Sequence, residues 1–202
     1  MIDRNSSTTS LSLINQARNN DEDAWQKMCN IYSPLVVDWV RKVGIQSEDV
    51  NDIVQDVFQI VFKNIRRFEK DKPSDTFRGW LWTITRNEIR GWFKKQKAAK
   101  VKAVGGSDAN NKLAKIPDWV DNDSAIHELP VDSATEAIVV QRAAEAIKDD
   151  FKSQTWQAFW RTTVEGRSST EIAEDLGITT GAVRQAKFRV LARLREYLDS
   201  EI

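Results

Sequence analysis

Arg184, Gln185, Phe188 and Arg189 lie within about two helical turns of each other. At about 100° per residue they fall opposite a stripe of Val183, Ala186, Val190 and Leu194, with Arg189 at the border and Gly181 on the polar side. An arginine fork matches the two major-groove acceptors of guanine, a glutamine amide matches adenine, and an apolar ring suits the thymine methyl. Between Ile178 and Arg195 there are five basic residues and no acidic one. This pattern fits a helix that reads base edges better than one that is only solvated.

A second constellation lies between residues 77 and 95. Phe77, Leu81, Ile84 and Trp92 take a broad inner face, while Thr83, Arg86, Asn87, Arg90 and Lys94 form an outer stripe that Trp80 and Trp82 border on its two sides. Cations interleaved with aromatic rings can hold a phosphate backbone while stacking on unpaired bases, because every base has a π-face. The basic run Lys94, Lys95, Lys97, Lys100 and Lys102 continues from it. The competing reading makes both tryptophans core residues.

The third group is acidic. Glu48, Asp49, Asp52 and Asp56 gather near the start of a helix, with Gln55 beside Asp56. These carboxylates can complement the helix dipole, roughly a few tenths of a kcal/mol each. They can also form a polar docking face for a protein. A metal site for nucleic-acid hydrolysis would need carboxylates converging from a second acidic motif, and the sequence has none.

The elements that must position these residues are helical. Ser168 with Glu171 has the spacing of a capping box, Ile172, Ala173 and Leu176 point inward, Gly177 ends that helix, and Thr179 caps the next. This is helix-turn-helix spacing. Upstream, a helix from Ala24 carries apolar residues from Trp25 to Val43 with Pro34 as a site for a bend, and Gly44 stops it. Ser47 is expected to cap a second helix whose apolar positions run from Val50 to Phe68, and a third runs from about Thr76 to Lys97. Ser133 with Glu136 predicts a capping box opening a helix through Ile147, and a further helix carries Phe151, Trp156, Phe159, Trp160 and Val164. No strand-type alternation of useful length appears. The expected fold class is all-α, with two helical domains at 11–98 and 134–198. They are joined by a flexible linker at 99–133 that contains Gly105 and Gly106. A flexible chain of that length spans about 33 Å, roughly one turn of DNA, so two domains can occupy separated DNA sites. Ile116, Trp119 and Val120 form a small apolar island in it.

The 202 residues carry 30 basic and 30 acidic side chains, which cancel overall but are unevenly distributed. Residues 63–102 hold thirteen Lys and Arg against four Asp and Glu, a net of +9; residues 103–150 hold four against ten, a net of −6. One cysteine, Cys29, excludes an internal disulfide and fits a reducing cytoplasm, where it is expected to be a small core residue. The lone His127 has no second His or Cys nearby, so no metal is expected, and no cofactor. No apolar run approaches the ~20 residues of a membrane span, and the first ten residues lack a signal-peptide core, so no membrane insertion and a cytoplasmic location are expected.

With DVNDIVQDVF at 49–58, FRGWLWTITRN at 77–87 and GRSSTEIAEDLGITTGAVR at 166–184, the chain resembles bacterial RNA polymerase sigma factors. It is most similar to the short extracytoplasmic-function group, which keeps conserved regions two and four. The resemblance implies a non-enzymatic initiation factor whose partners are core RNA polymerase, promoter DNA and a candidate anti-sigma factor. It places Asp52, Gln55, Asp56 and Phe58 against the clamp helices of the polymerase β′ subunit. It assigns the loop 70–76 and Trp80, Trp82, Arg86, Asn87, Arg90 and Lys94 to capture and melting of the minus-ten element, the loop holding a flipped base. Thr180, Gly181, Arg184, Gln185, Phe188 and Arg189 are assigned to the minus-thirty-five element. Where the family often has a basic pair flanking alanine, this chain has Arg189-Val190-Leu191. The residues by themselves also allow a stand-alone helix-turn-helix regulator, a metal-dependent nuclease or a helical adaptor.

Overall fold

A computed structural model describes residues 13–69, 76–104 and 132–198. Among them are eight α-helices and no strand: α1 (Leu13–Arg18), α2 (Glu22–Lys42), α3 (Ser47–Asn64), α4 (Phe77–Val104), α5 (Ser133–Ala146), α6 (Ser153–Thr163), α7 (Ser169–Leu176) and α8 (Thr180–Leu198). The all-α expectation holds. The apolar island at 116–120, His127, the loop 70–75 and most of the expected linker lie outside the described residues.

The chain divides into two compact units, one of residues 32–139 and one combining 1–31 with 140–202. In the first, α2 contributes Tyr32, Leu35, Val36, Trp39 and Val40 to a core completed by Val50, Ile53, Val57 and Val61 of α3 and Phe77, Leu81, Trp82 and Ile89 of α4. Aromatic edges knit it together. Tyr32 and Phe77 meet at 4.9 Å and Trp39 and Trp82 at 5.2 Å, both T-shaped, the geometry that sets the positive ring edge against a negative face. Helix α2 runs unbroken through Pro34, and Gly44, at φ +79°, ends the segment that follows it.

In the second unit Ala158, Ile172, Ala173, Val183 and Ala186 form a small core, with Leu176 and Ile178 packed against it. The long C-terminal helix α8 packs on α6, α7 and α1. Arg193 donates to Asp150 at 2.8 Å and lies over the Tyr197 ring. Arg142 donates to the Asn30 carbonyl at 2.6 Å.

Four local expectations are corrected. Helix α3 begins at Ser47 itself, and Gln46 before it makes no side-chain cap. No box forms at Ser133: it already lies in the first turn, and Asp132 sits at the cap, its carbonyl bonded by Glu136 N–H at 3.0 Å. Phe151 and Val164 both lie outside α6, Phe151 after a single 3₁₀ turn at Lys148–Asp150 and Val164 as the C-cap. Helix α4 runs on to Val104 because every residue from Lys94 to Val104 tolerates a helix and the first stop is Gly105.

Candidate nucleic-acid interfaces

Helix α8, expected from the sequence to read DNA, is built by three backbone devices in succession. At the start of α7, Ser168 Oγ accepts from Glu171 N–H at 3.2 Å while Ser168 N–H donates back to the Glu171 carboxylate at 3.2 Å, the reciprocal box expected from S-x-x-E. At its end Gly177 takes φ +63°, and Ile178 N–H reaches back to the Ala173 carbonyl at 3.0 Å. Thr179 then accepts from Ala182 N–H through Oγ1 at 3.1 Å, which opens α8. All three lie where the sequence predicts them.

On α8, Val183, Ala186, Val190 and Leu194 are buried. Gly181, Arg184, Gln185, Phe188 and Arg189 are exposed together on the other side, with Thr180 half-buried at their N-terminal edge. Phe188 is 71% exposed, an apolar cost that packing within the chain does not offset. A side chain added at Gly181 would meet only Thr179 Oγ1 at an ordinary 3.7 Å. Close packing inside the chain is therefore not what requires glycine there.

The α4 stripe is only partly as expected. Asn87 and Lys94 are exposed and Arg90 is half-buried. Trp80 is half-buried, tilted against Phe68 at 5.1 Å and Phe77 at 5.7 Å, so its ring is held at the margin of the core. Trp82 is fully buried against Trp39, and Arg86 is 4% exposed. Neither is a surface group at this stripe, because α4 is covered over much more of its circumference than a single apolar face. Thr76 fixes where α4 starts, its Oγ1 accepting from Gly79 N–H at 3.0 Å. Sequence reasoning missed Arg78, one residue past Phe77, which pairs with Glu136 at 2.9 Å; its only signal was membership of the basic block.

On α3 the structure exposes Asp52, Gln55, Asp56 and Gln59. Phe58, expected with them, is 8% exposed and belongs to the core, whereas Phe62 on the polar side is 54% exposed. Among the described residues no three His, Cys, Asp or Glu side chains come together as a metal site. Nor is any helix of the described residues long and apolar enough to cross a membrane. Burial pushes the half-buried Cys29 thiol up to about 11, so it is a poor nucleophile near neutral pH.

Comparisons with known proteins bear on both units. Residues 28–99 match sigma-70 region 2 and residues 153–196 match sigma-70, region 4, together more than half of the chain. The RNA polymerase sigma factor CnrH of Cupriavidus metallidurans is 27% identical over 190 residues, 94% of each chain. The ECF RNA polymerase sigma factor SigE of Mycolicibacterium smegmatis is 25% identical over 175 residues, 87% of this chain and 62% of that relative. RNA polymerase sigma factor SigZ of Bacillus subtilis is 25% identical over 182 residues, 89% of this chain and 88% of the relative. A solved structure of CnrH in complex with the cytosolic domain of CnrY aligns over 94% of this chain and 97% of that one, at 22% identity and a TM-score of 0.36. The two family matches, in the order of regions two and four along the chain, make it a member of the sigma-70 family of RNA polymerase sigma factors, within its extracytoplasmic-function group.

Proposed function

We propose that this sigma factor divides its work among three faces: α8 reads the minus-thirty-five element, α4 engages the minus-ten element, and the exposed side of α3 docks on the β′ clamp helices of core polymerase. Binding of core RNA polymerase and promoter DNA, and the direction of transcription initiation, follow from family membership. The assignment of faces is our reading. The observation that carries it is the exposed side of α8, on which Arg184, Gln185 and Phe188 stand together at the N-terminal end with no acidic residue before Glu196 near the far end, the N-terminal end being the one that meets base edges in helix-turn-helix proteins.

On α4 we assign backbone contacts to Arg90 and Lys94, a polar contact to Asn87 and a stacking edge to Trp80, with Trp82 and Arg86 supporting them from the core. On α3 we assign docking to Asp52, Gln55 and Asp56, with Phe62 as the apolar anchor in place of Phe58. A cytoplasmic location suits a chain that works with polymerase, and membership of the group makes an anti-sigma protein the expected regulator.

The deciding experiment adds purified protein to bacterial core polymerase and a pool of genomic fragments. Discrete new start sites sharing two spaced elements are expected. If the protein fails to bind polymerase and instead selects DNA sites alone, the chain acts as a stand-alone regulator.

A further inference from the structure

Helix α7 has only eight residues; Ile172 and Ala173 are buried and Leu176 packs half-buried against the same small core. So small an apolar patch limits rotation only coarsely, because apolar burial is non-directional. Yet α7 leads through only Gly177, Ile178 and Thr179 into α8, so any rotation of α7 about its axis is carried directly to the reading face. Something directional has to hold it.

The structure supplies polar ties at adjacent residues of the C-terminal end of α7. Gln154 Nε2, from the first turn of α6, donates to the Leu176 carbonyl at 3.0 Å. Arg161, seven residues further along α6, donates through Nη1 to Asp175 Oδ2 at 3.3 Å. Arg167, in the connection before α7, reaches the same oxygen through Nη2 at 2.7 Å. Gln154 and Arg161 are about 10 Å apart along α6, so the end of α7 is held from two separated points on one helix and from its own entry. The Leu176 carbonyl belongs to the last turn of α7, where carbonyls lack intrahelical partners. Gln154 satisfies it from outside.

We propose that Gln154, Arg161, Arg167 and Asp175 form a polar clamp that sets the rotation of α7 and hence the angle at which α8 presents Arg184 and Gln185. They are positioning residues for promoter discrimination. This rests on the assignment of α8 to the minus-thirty-five element. A bidentate arginine–guanine contact requires placement to within about 0.5 Å, so loosening the clamp affects the correct sequence and leaves phosphate-dominated binding to other sequences alone.

The test uses the full-length chain bound to core polymerase. Gln154→Glu removes the amide donor and Asp175→Asn removes the shared carboxylate, both without changing side-chain size. The readout is the ratio of affinities for a promoter with its minus-thirty-five element intact and the same promoter with that element scrambled. Thermal melting of each protein is measured alongside, and Arg184→Ala serves as the reference variant. The doubly substituted chain is expected to lose about three- to tenfold in the ratio, with little change in binding to the scrambled promoter and a melting midpoint within about 2 °C of the parent. An unchanged ratio, with Arg184→Ala collapsing it, overturns the clamp. So does a ratio that falls only in step with the melting midpoint and recovers on cooling. If Arg184→Ala also leaves the ratio intact, the assignment of α8 has failed, and the clamp proposal fails with it.

Discussion

Trp80 and Trp82 stand two residues apart on α4 and have opposite fates. A helical wheel puts them on either border of one outer stripe, yet Trp82 is wholly enclosed against Trp39 while Trp80 remains half-exposed beside Phe68 and Phe77. The wheel misleads because it assumes one buried face, whereas Phe77, Leu81, Trp82, Ile84, Thr85, Arg86, Ile89 and Phe93 are all buried. How far neighbouring helices wrap around α4 is a tertiary fact that no local period encodes. Trp82→Ala is therefore expected to lower unfolding free energy by about 3–5 kcal/mol in a urea titration, the cost of emptying a core site of this size. The exposed position of Arg184 was legible because its signal is local: an apolar stripe on the opposite side of α8. Arg184→Ala is expected to reduce discrimination by ~1–3 kcal/mol, read as the affinity of the polymerase-bound protein for matched against mismatched minus-thirty-five sequences. Equal weakening on all DNA would move the reading face elsewhere.

At the scale of elements, the helix-turn-helix was fully readable and the ends of α4 and α5 were not. Caps and a left-handed glycine are written in two to four adjacent residues, so Ser168, Glu171, Gly177 and Thr179 announce their structure directly. The end of α4 depended on recognising that nothing before Gly105 stops a helix, and the start of α5 on choosing between Asp132 and Ser133, adjacent residues of equal capping ability. Gly177 gives an element-level prediction. No atom lies within 4 Å of where its Cβ would be, so Gly177→Ala costs only the strain of holding φ +63° with a side chain, about 1–2 kcal/mol in thermal or urea unfolding. The C-terminal turn of α8 gives a second. Burial pushes the Tyr197 hydroxyl up to about 12, with Asp150 and Asp21 adding to the shift and Arg193 opposing it. The neutral phenol is favoured by folding, so this contribution is complete below the unfolded value near pH 10 and is lost as pH rises to about 12. Titrating the stability of the parent against Tyr197→Phe should show the parent losing stability relative to the variant across that window, by at most about 3 kcal/mol; a flat difference would mean the ring is not held dry.

For the whole molecule, the two faces proposed to contact DNA lie in separate compact units, Trp80 and Arg90 within 32–139 and Arg184 within 140–202. The net charge of zero hides this, because the +9 block around α4 is followed by a −6 block. Salt dependence should therefore follow the basic faces and not the total charge, since each phosphate contact releases counterions on its own account. Separate units with separate ligands also predict independence. Substitutions with no shared partner usually add to within about 0.5 kcal/mol, whereas residues in one network do not. Arg90→Ala and Arg184→Ala are accordingly expected to weaken promoter binding by the polymerase-bound protein additively. Arg90→Ala should also lower the slope of log affinity against log salt by about one contact, while Arg184→Ala should change sequence preference. A double variant no weaker than the worse single one would mean that the two faces engage DNA as one rigid surface, and the division of labour between α4 and α8 would have to be abandoned.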